Sequence, residues 1–194
     1  MDGSTIEREV RDLADAGDST AAVAALVKGY GPEIWTYLAG TLRTNDDDLG
    51  EAFSVFCEDV CRGLAAFRFE SSARTWAYVI ARRAALRHVR DSRQRARRFE
   101  GPAELEALAQ AVRSTTVQHL RTTNHDRLAE LRDQLDADER TILILRVDRQ
   151  LAWREIAQIM ADDELDPEAL RKREQVLRKK FEAIKRQLRD HLAR

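Results

Sequence analysis

The last quarter of the chain carries an apolar pattern that predicts one long, one-sided helix. Apolar residues recur at helical spacing at Leu170, Leu177, Phe181, Ile184 and Leu188. Asp166 is a typical helix cap, and Pro167 suits a first helical position. Residues 153–160 predict a short amphipathic helix, which a turn at 161–166 joins to the long one. A short helix, a turn and a long cationic helix are the layout of a helix-turn-helix.

Charge is distributed unevenly along the chain. The 194 residues have a formal net charge of -1, but residues 1–60 hold 13 acids and 4 bases. Residues 74–98 hold nine arginines and one acid, and residues 168–194 hold 10 bases and 4 acids. A polyanionic partner would therefore bind the second and third blocks and not the first. With 35% charged residues and only 3 prolines, the composition is that of a soluble helical protein.

The first 42 residues carry helix-start signals and one break. Ser4 with Glu7 three residues later is one start signal, and Asp18 is another. The run Gly29-Tyr30-Gly31-Pro32 predicts a helix end, after which Pro32 opens the next helix. The helices expected on these grounds are 5–16, 20–28 and 33–42.

A third acidic stretch predicts a longer helix. Asp46-Asp47-Asp48 predicts its cap, and the helix is expected to reach about Leu64. Its apolar stripe is Leu49, Phe53, Phe56, Val60 and Leu64. Its polar stripe is Asp48, Glu51, Glu58, Asp59 and Arg62. A loop at 68–72 and a basic helix at 75–90 are expected to follow.

The apolar period weakens after residue 91 and returns near 127. The stretch between reads as a mobile linker with some nascent helix near 103–112. The β-branched run 141–147 suits a buried strand or a buried helix, and caps at Asp136 and Asp138 favour the helix. We therefore expect an all-α chain of two small helical domains joined by a flexible linker. Their bounds are 1–92, 93–126 for the linker, and 127–194.

Several classes of function find no support in the sequence. It has no dinucleotide fingerprint, phosphate loop or zinc-protease motif, so we expect neither an enzyme nor a cofactor. Cys57 and Cys61 lie four residues apart on one predicted helix, a poor geometry for a disulfide, and no histidine stands at ligand spacing from them. We expect no metal. No apolar run approaches the roughly 20 residues of a membrane span, which predicts a cytoplasmic protein.

Two ordered groups of motifs resemble the extracytoplasmic-function (ECF) sigma factors of bacterial RNA polymerase. Residues 48–53, 67–68 and 71–82 resemble conserved region two of that family, and residues 138–146 and 151–157 resemble region four. The resemblance implies a dissociable initiation subunit. Region two would melt the minus-ten promoter element, and region four would read the minus-thirty-five element. It also implies binding to core polymerase through its clamp and flap elements, an anti-sigma factor as a further partner, and a place at the nucleoid.

The last helix supplies the candidates for reading the upstream element. Arginine can bridge the two acceptors of guanine, and glutamine the donor and acceptor of adenine, while other cations neutralise phosphates. The candidates are Arg171, Lys172, Gln175, Arg178, Lys179 and Arg186. The alternative is an ordinary solvated charged face.

The loop before the first basic helix supplies the candidates for the minus-ten element. A melted strand needs an apolar pocket for an unpaired base beside a cationic track. In the family this loop provides the pocket, and here Phe69 would stack on a base. The candidates are Arg68, Phe69, Ser71, Ser72, Arg74, Trp76, Arg83 and Arg87. For Trp76 the alternative is core packing.

The acidic helix 48–64 is, by resemblance, the part that docks on the polymerase clamp. Candidate docking residues are Asp48, Glu51, Glu58 and Arg62. Two other functions stay open. A helix-turn-helix regulator that binds duplex DNA alone would leave the basic helix 74–90 unexplained, and a helical adaptor that binds only proteins would leave both basic blocks unexplained.

Overall fold

The computed structural model describes residues 3–91, 106–114 and 134–192. All regular structure in these ranges is helical, which confirms the all-α prediction. The chain forms two compact units, Met1–Thr122 and Thr123–Arg194.

The first unit is a bundle around an aromatic core. Its helices are α1 (Gly3–Asp15), α2 (Ser19–Leu42), α3 (Asp46–Gly63), α4 (Ala73–Asp91) and a segment at 106–114, here α5. A 3-10 turn, Leu64–Ala66, follows α3. Trp35 of α2 meets Phe53 of α3 edge to face at 5.2 Å, and Tyr37 meets Tyr78 of α4 at 5.1 Å. The predicted apolar stripe of α3 is buried throughout.

Helix α2 runs without a break through the predicted stop at 29–32, so that prediction was wrong. The two glycines of that stretch, Gly29 and Gly31, allow close packing. A Cβ on Gly29 would lie 2.6 Å from the Ile6 side chain, and one on Gly31 would lie 3.2 Å from Val112. An interior proline costs a helix about 3 kcal/mol, and the buried side chains on both sides of Pro32 offset this. The helix ends where Arg43 adopts a left-handed backbone, φ 51°.

The caps of α1 and α3 also differ from the predictions. Asn45 caps α3, because its Oδ1 accepts the Asp48 N–H at 2.9 Å, and the three aspartates occupy the first turn instead. Helix α1 already includes Ser4, and the Glu7 carboxylate reaches another helix. Acids in the first turn of α3 still complement the positive end of its dipole.

Helix α5 lies inside the stretch expected to be a mobile linker, where some nascent helix was expected near 103–112. Ala109 and Val112 are 2% and 7% exposed, and the Arg113 guanidinium donates to the Ser54 hydroxyl of α3. These nine residues are therefore part of the first unit. The remainder of the expected linker, and the expected start of the second domain at 127, lie outside the described residues.

The second unit contains the predicted helix-turn-helix. Its helices are α6 (Ala137–Leu143), α7 (Trp153–Ile159) and α8 (Pro167–Leu192), with a π-helical turn at Ile144–Asp148. A capping box between Asp136 and Glu139 starts α6. The ambiguous run 141–147 is therefore helical, as favoured. Asp166 caps α8 by accepting the N–H groups of Glu168 and Ala169 at 2.9 and 2.8 Å.

Candidate nucleic-acid interface

One exposed stripe of α8 carries the residues predicted to contact the upstream element. All six are exposed: Arg171, Lys172, Gln175, Arg178, Lys179 and Arg186. Leu170, Leu177 and Ile184 are buried on the opposite side. The Arg173 guanidinium donates to the Met160 carbonyl at 2.9 Å and ties α8 to the end of α7. The helix is thus fixed with its cationic side to solvent.

Two of these cations already have partners within the second unit. The Lys172 ammonium lies 2.7 Å from the Glu168 carboxylate, an exposed pair that contributes little energy. The Arg178 guanidinium lies 5.7 Å from the centre of the Trp153 ring. The Arg146 guanidinium also lies over this ring, at 5.1 Å. Arg178 is therefore oriented by α7.

The loop 67–72 holds a stack of aromatic rings at the start of α4. Trp76 stacks on Phe67 with ring centres 4.8 Å apart, and Phe67 contacts Phe69 at 4.5 Å. Trp76 also packs closely on α3, because a Cβ added to Gly63 would lie 3.1 Å from the Trp76 ring. Trp76 is half-buried, so it packs on α3 and also keeps part of its surface accessible. Phe69 lies at the outer end of the stack.

The two serines of this loop serve the start of α4. Ser72 Oγ accepts the Thr75 N–H at 3.0 Å and donates to Thr75 Oγ1 at 2.8 Å, as a helix cap does. Ser71 Oγ lies 3.4 Å from the Ser72 carbonyl. Of the two, Ser71 is therefore the better placed to meet a base edge, because Ser72 would have to give up its capping bond.

Carboxylates of α2 and α3 partly neutralise the predicted cationic track on α4. Arg74 Nε lies 3.0 Å from Glu33 of α2, and the Tyr78 hydroxyl donates to the same carboxylate at 2.7 Å. Arg87 pairs with Asp59 of α3 at 3.1 Å. Arg83, in contrast, is exposed. Exposed Arg68 lies 3.3 Å from Glu70.

Sequence reasoning missed the residue that organises the start of α4. Glu7 of α1 accepts the N–H groups of Ala73 and Arg74 at 2.7 and 2.9 Å, and the Tyr30 hydroxyl donates to it at 2.8 Å. Burial and this hydrogen bond raise the pKa of Tyr30. A carboxylate on free N–H groups at a helix start is favourable. No local pattern reveals it, because its partners lie far along the chain.

The polar stripe of α3 is less exposed than a docking face was expected to be. Glu58 is only 9% exposed and accepts from Arg62 at 2.8 Å. Glu51 lies 3.9 Å from the His88 ring of α4. Asp48 accepts from Asn45 and Thr44 at the helix start. Arg62, with 63% of its side chain exposed, is the most accessible of the four candidates.

The cysteines are free thiols. Cys57 is buried, and desolvation raises the pKa of both Cys57 and Cys61. Within the described ranges no three His, Cys, Asp or Glu side chains form a group suited to a metal ion. Among the same residues, no helix combines the length and hydrophobicity needed to cross a bilayer.

Comparisons with known proteins decide the family. The family model described as Sigma-70 region 2 matches residues 26–96, which span most of α2, all of α3 and α4. The RNA polymerase sigma factor YlaC of Bacillus subtilis (strain 168) is 30% identical over 140 residues, covering 72% of this chain and 79% of the relative. The chain is an ECF-type sigma factor. As such it acts in transcription initiation by RNA polymerase. No solved structure matches the chain.

Proposed function

We propose that this sigma factor divides promoter recognition between its two units. Helix α8 reads the minus-thirty-five element in duplex DNA. The loop 67–72 and the start of α4 hold the melted minus-ten strand. The exposed stripe of α8 carries this proposal, since it places Gln175 among Arg171, Lys172 and Lys179 on one accessible side. Groups that read bases and groups that neutralise phosphates are both needed for sequence recognition.

For the minus-ten strand, the outer ring of the stack supports the proposal. Phe69 offers a π-face to an unpaired base, and Ser71 offers a hydroxyl to its edge. Arg68 of the loop and Arg83 of α4 are exposed cations that could follow the strand on either side of this stack. Arg74 and Arg87 are held by their acidic partners and contribute charge near the strand without contacting it directly. Trp76 supports the stack by packing against Phe67.

For the polymerase, we propose that the partly exposed edge of α3 contacts the clamp. Asp48, Glu51 and Arg62 form this edge, and Glu58 holds Arg62 in place from below. The second unit would contact the flap, and an anti-sigma factor would be a further partner. The protein would work in the cytoplasm at the nucleoid. It would have no catalytic activity of its own, since the polymerase makes RNA.

Run-off transcription tests the proposal. Core polymerase with this protein should give specific transcripts from a promoter library, and core alone should not. The variant with Arg171→Ala and Gln175→Ala should lose about tenfold in transcription from its promoters, as expected for one good base contact. Its affinity for core should be unchanged.

Glu51→Arg is the reciprocal variant. It should weaken core binding and leave upstream specificity intact. Sequence-specific duplex binding by the chain alone, with no core-dependent transcripts, would instead support a stand-alone regulator. If the α8 double variant loses core binding, α8 is not the upstream reader.

A further inference from the structure

The outermost ring of the aromatic stack is covered by a cation from another helix. The guanidinium carbon of Arg11, on α1, lies 5.2 Å from the centre of the Phe69 ring. Arg11 is itself exposed. On its other side Phe69 contacts Phe67, which in turn stacks on Trp76. Trp76, Phe67, Phe69 and Arg11 thus contact one another in that order; the three rings are half-buried, and Arg11 is exposed.

Phe69 has a backbone conformation that its bulky side chain disfavours. Its φ is 54°, in the left-handed region that residues with a bulky side chain rarely adopt. Such conformations persist where the surrounding structure imposes them, and they cluster at ligand-binding sites. A glycine would fit this backbone without strain but would provide no ring.

We propose that Arg11 is the outer wall of a slot for one unpaired nucleobase, and that in the free protein its guanidinium occupies the position the base takes over Phe69. The inference rests on the proposed handling of melted DNA by this loop. A base in contact on both faces needs about 3.5 Å on each side, or roughly 7 Å in all. Arg11 therefore has to withdraw by only about 2 Å from its present 5.2 Å.

The chemistry of Arg11 suits both parts of a nucleotide. A guanidinium plane stacks on a base as an aromatic ring does, so the base would lie between Phe69 and Arg11. The same cation can neutralise the phosphate next to that base. Lysine would keep the charge and lose the flat stacking surface. Replacing Arg11 by lysine therefore separates stacking on the base from neutralisation of the phosphate.

The test uses the full chain and a 12-nucleotide single strand of random sequence with one central 2-aminopurine. Wild type should quench the 2-aminopurine fluorescence on binding. Arg11→Lys should weaken binding about fivefold to tenfold and reduce the quenching, with an unchanged salt slope. Arg11→Gln should lose affinity as well, and its log–log salt slope should fall by about 0.7 for a single strand. Arg8→Gln removes an exposed cation from the same helix and should resemble wild type.

A second substitution separates the slot from simple packing. Phe69→Gly should unfold at the same or a higher temperature, because it relieves the backbone, while quenching is lost. If Arg11→Lys quenches as strongly as wild type, the proposal is wrong. It is also wrong if Arg11→Gln binds the strand more tightly, because Arg11 would then only block the base. Run-off transcription with the wild-type chain is measured separately: core-dependent transcripts without quenching would contradict the slot alone, whereas absence of transcripts would contradict the initiation function.

Discussion

Among single residues, Glu7 has the widest structural consequences. Its carboxylate accepts three hydrogen bonds, from the backbone of Ala73 and Arg74 and from the Tyr30 hydroxyl. It therefore joins α1, α2 and the first turn of α4. Through this turn it also fixes where the loop 67–72 ends.

Glu7→Ala should destabilise the first unit by about 2 kcal/mol. The variant leaves two N–H groups without their acceptor at a helix start and removes the acceptor of a part-buried hydroxyl. Urea unfolding followed by tryptophan fluorescence measures this, in a Trp153→Phe background where only Trp35 and Trp76 report. Glu9→Ala, at an exposed site of the same helix, should change stability by less than about 0.5 kcal/mol. Equal effects of the two substitutions would contradict the capping role.

Residue roles were predictable from sequence where they depend on the helical period alone. The exposure of Arg171, Gln175 and Lys179 follows from their positions opposite the buried leucines of α8. The capping by Glu7 and the left-handed backbone of Phe69 were not predictable. Each depends on partners in other helices, which no local pattern encodes.

At the scale of elements, α5 overlaps the nascent helix expected near 103–112, but it packs on the first unit. It packs on α2 and α3, with Val112 close to Gly31 and Arg113 close to Gly50 and Ser54. The charge of Arg113 also acts on the buried thiol of Cys57, in the direction that lowers its pKa. Cys57 lies three residues after Ser54 and so on the same side of α3, which α5 contacts through Arg113.

Val112→Asp should detach α5 and expose this side of α3. A carboxylate at a site 7% exposed loses hydration without gaining a partner. With Cys61→Ser present, alkylation of Cys57 at neutral pH should be slow in the parent and at least about tenfold faster in the variant, because burial raises the pKa of that thiol. Gln110→Asp introduces the same carboxylate at an exposed site of α5 and should leave the rate unaltered. Circular dichroism must show that the other helices persist. An unchanged rate would mean that α5 does not shield Cys57.

Two glycines explain why α2 was harder to predict than α3 or α8. A glycine that breaks a helix and a glycine that admits a neighbouring helix look the same in sequence. Gly29 and Gly31 are of the second kind, and their neighbours Ile6 and Val112 come from distant parts of the chain. For α3 and α8, a strong apolar stripe and a polar cap were sufficient.

At the scale of the whole molecule, ion pairs within the chain reduce the positive charge that one of its basic blocks offers to DNA. Acids of the first 60 residues partly neutralise the basic helix α4, as Glu33 does with Arg74 and Asp59 with Arg87. On α8 the exposed pairs are local, such as Lys172 with Glu168, and exposed pairs are easily exchanged for phosphates. The cationic face of α8 is therefore the part of the described chain best suited to duplex DNA.

Salt dependence tests this division of charge. Binding of the full chain to a duplex that carries its upstream element should weaken steeply with salt, and Arg186→Gln should reduce the log–log slope by about 0.9, the value for one phosphate contact. The loss should be uniform across sequences, because phosphates carry no sequence information. Lys28→Gln removes an exposed cation from α2 and should leave the slope as in wild type. If both variants lower the slope alike, the chain responds to its net charge, and α8 makes no localised phosphate contact at Arg186.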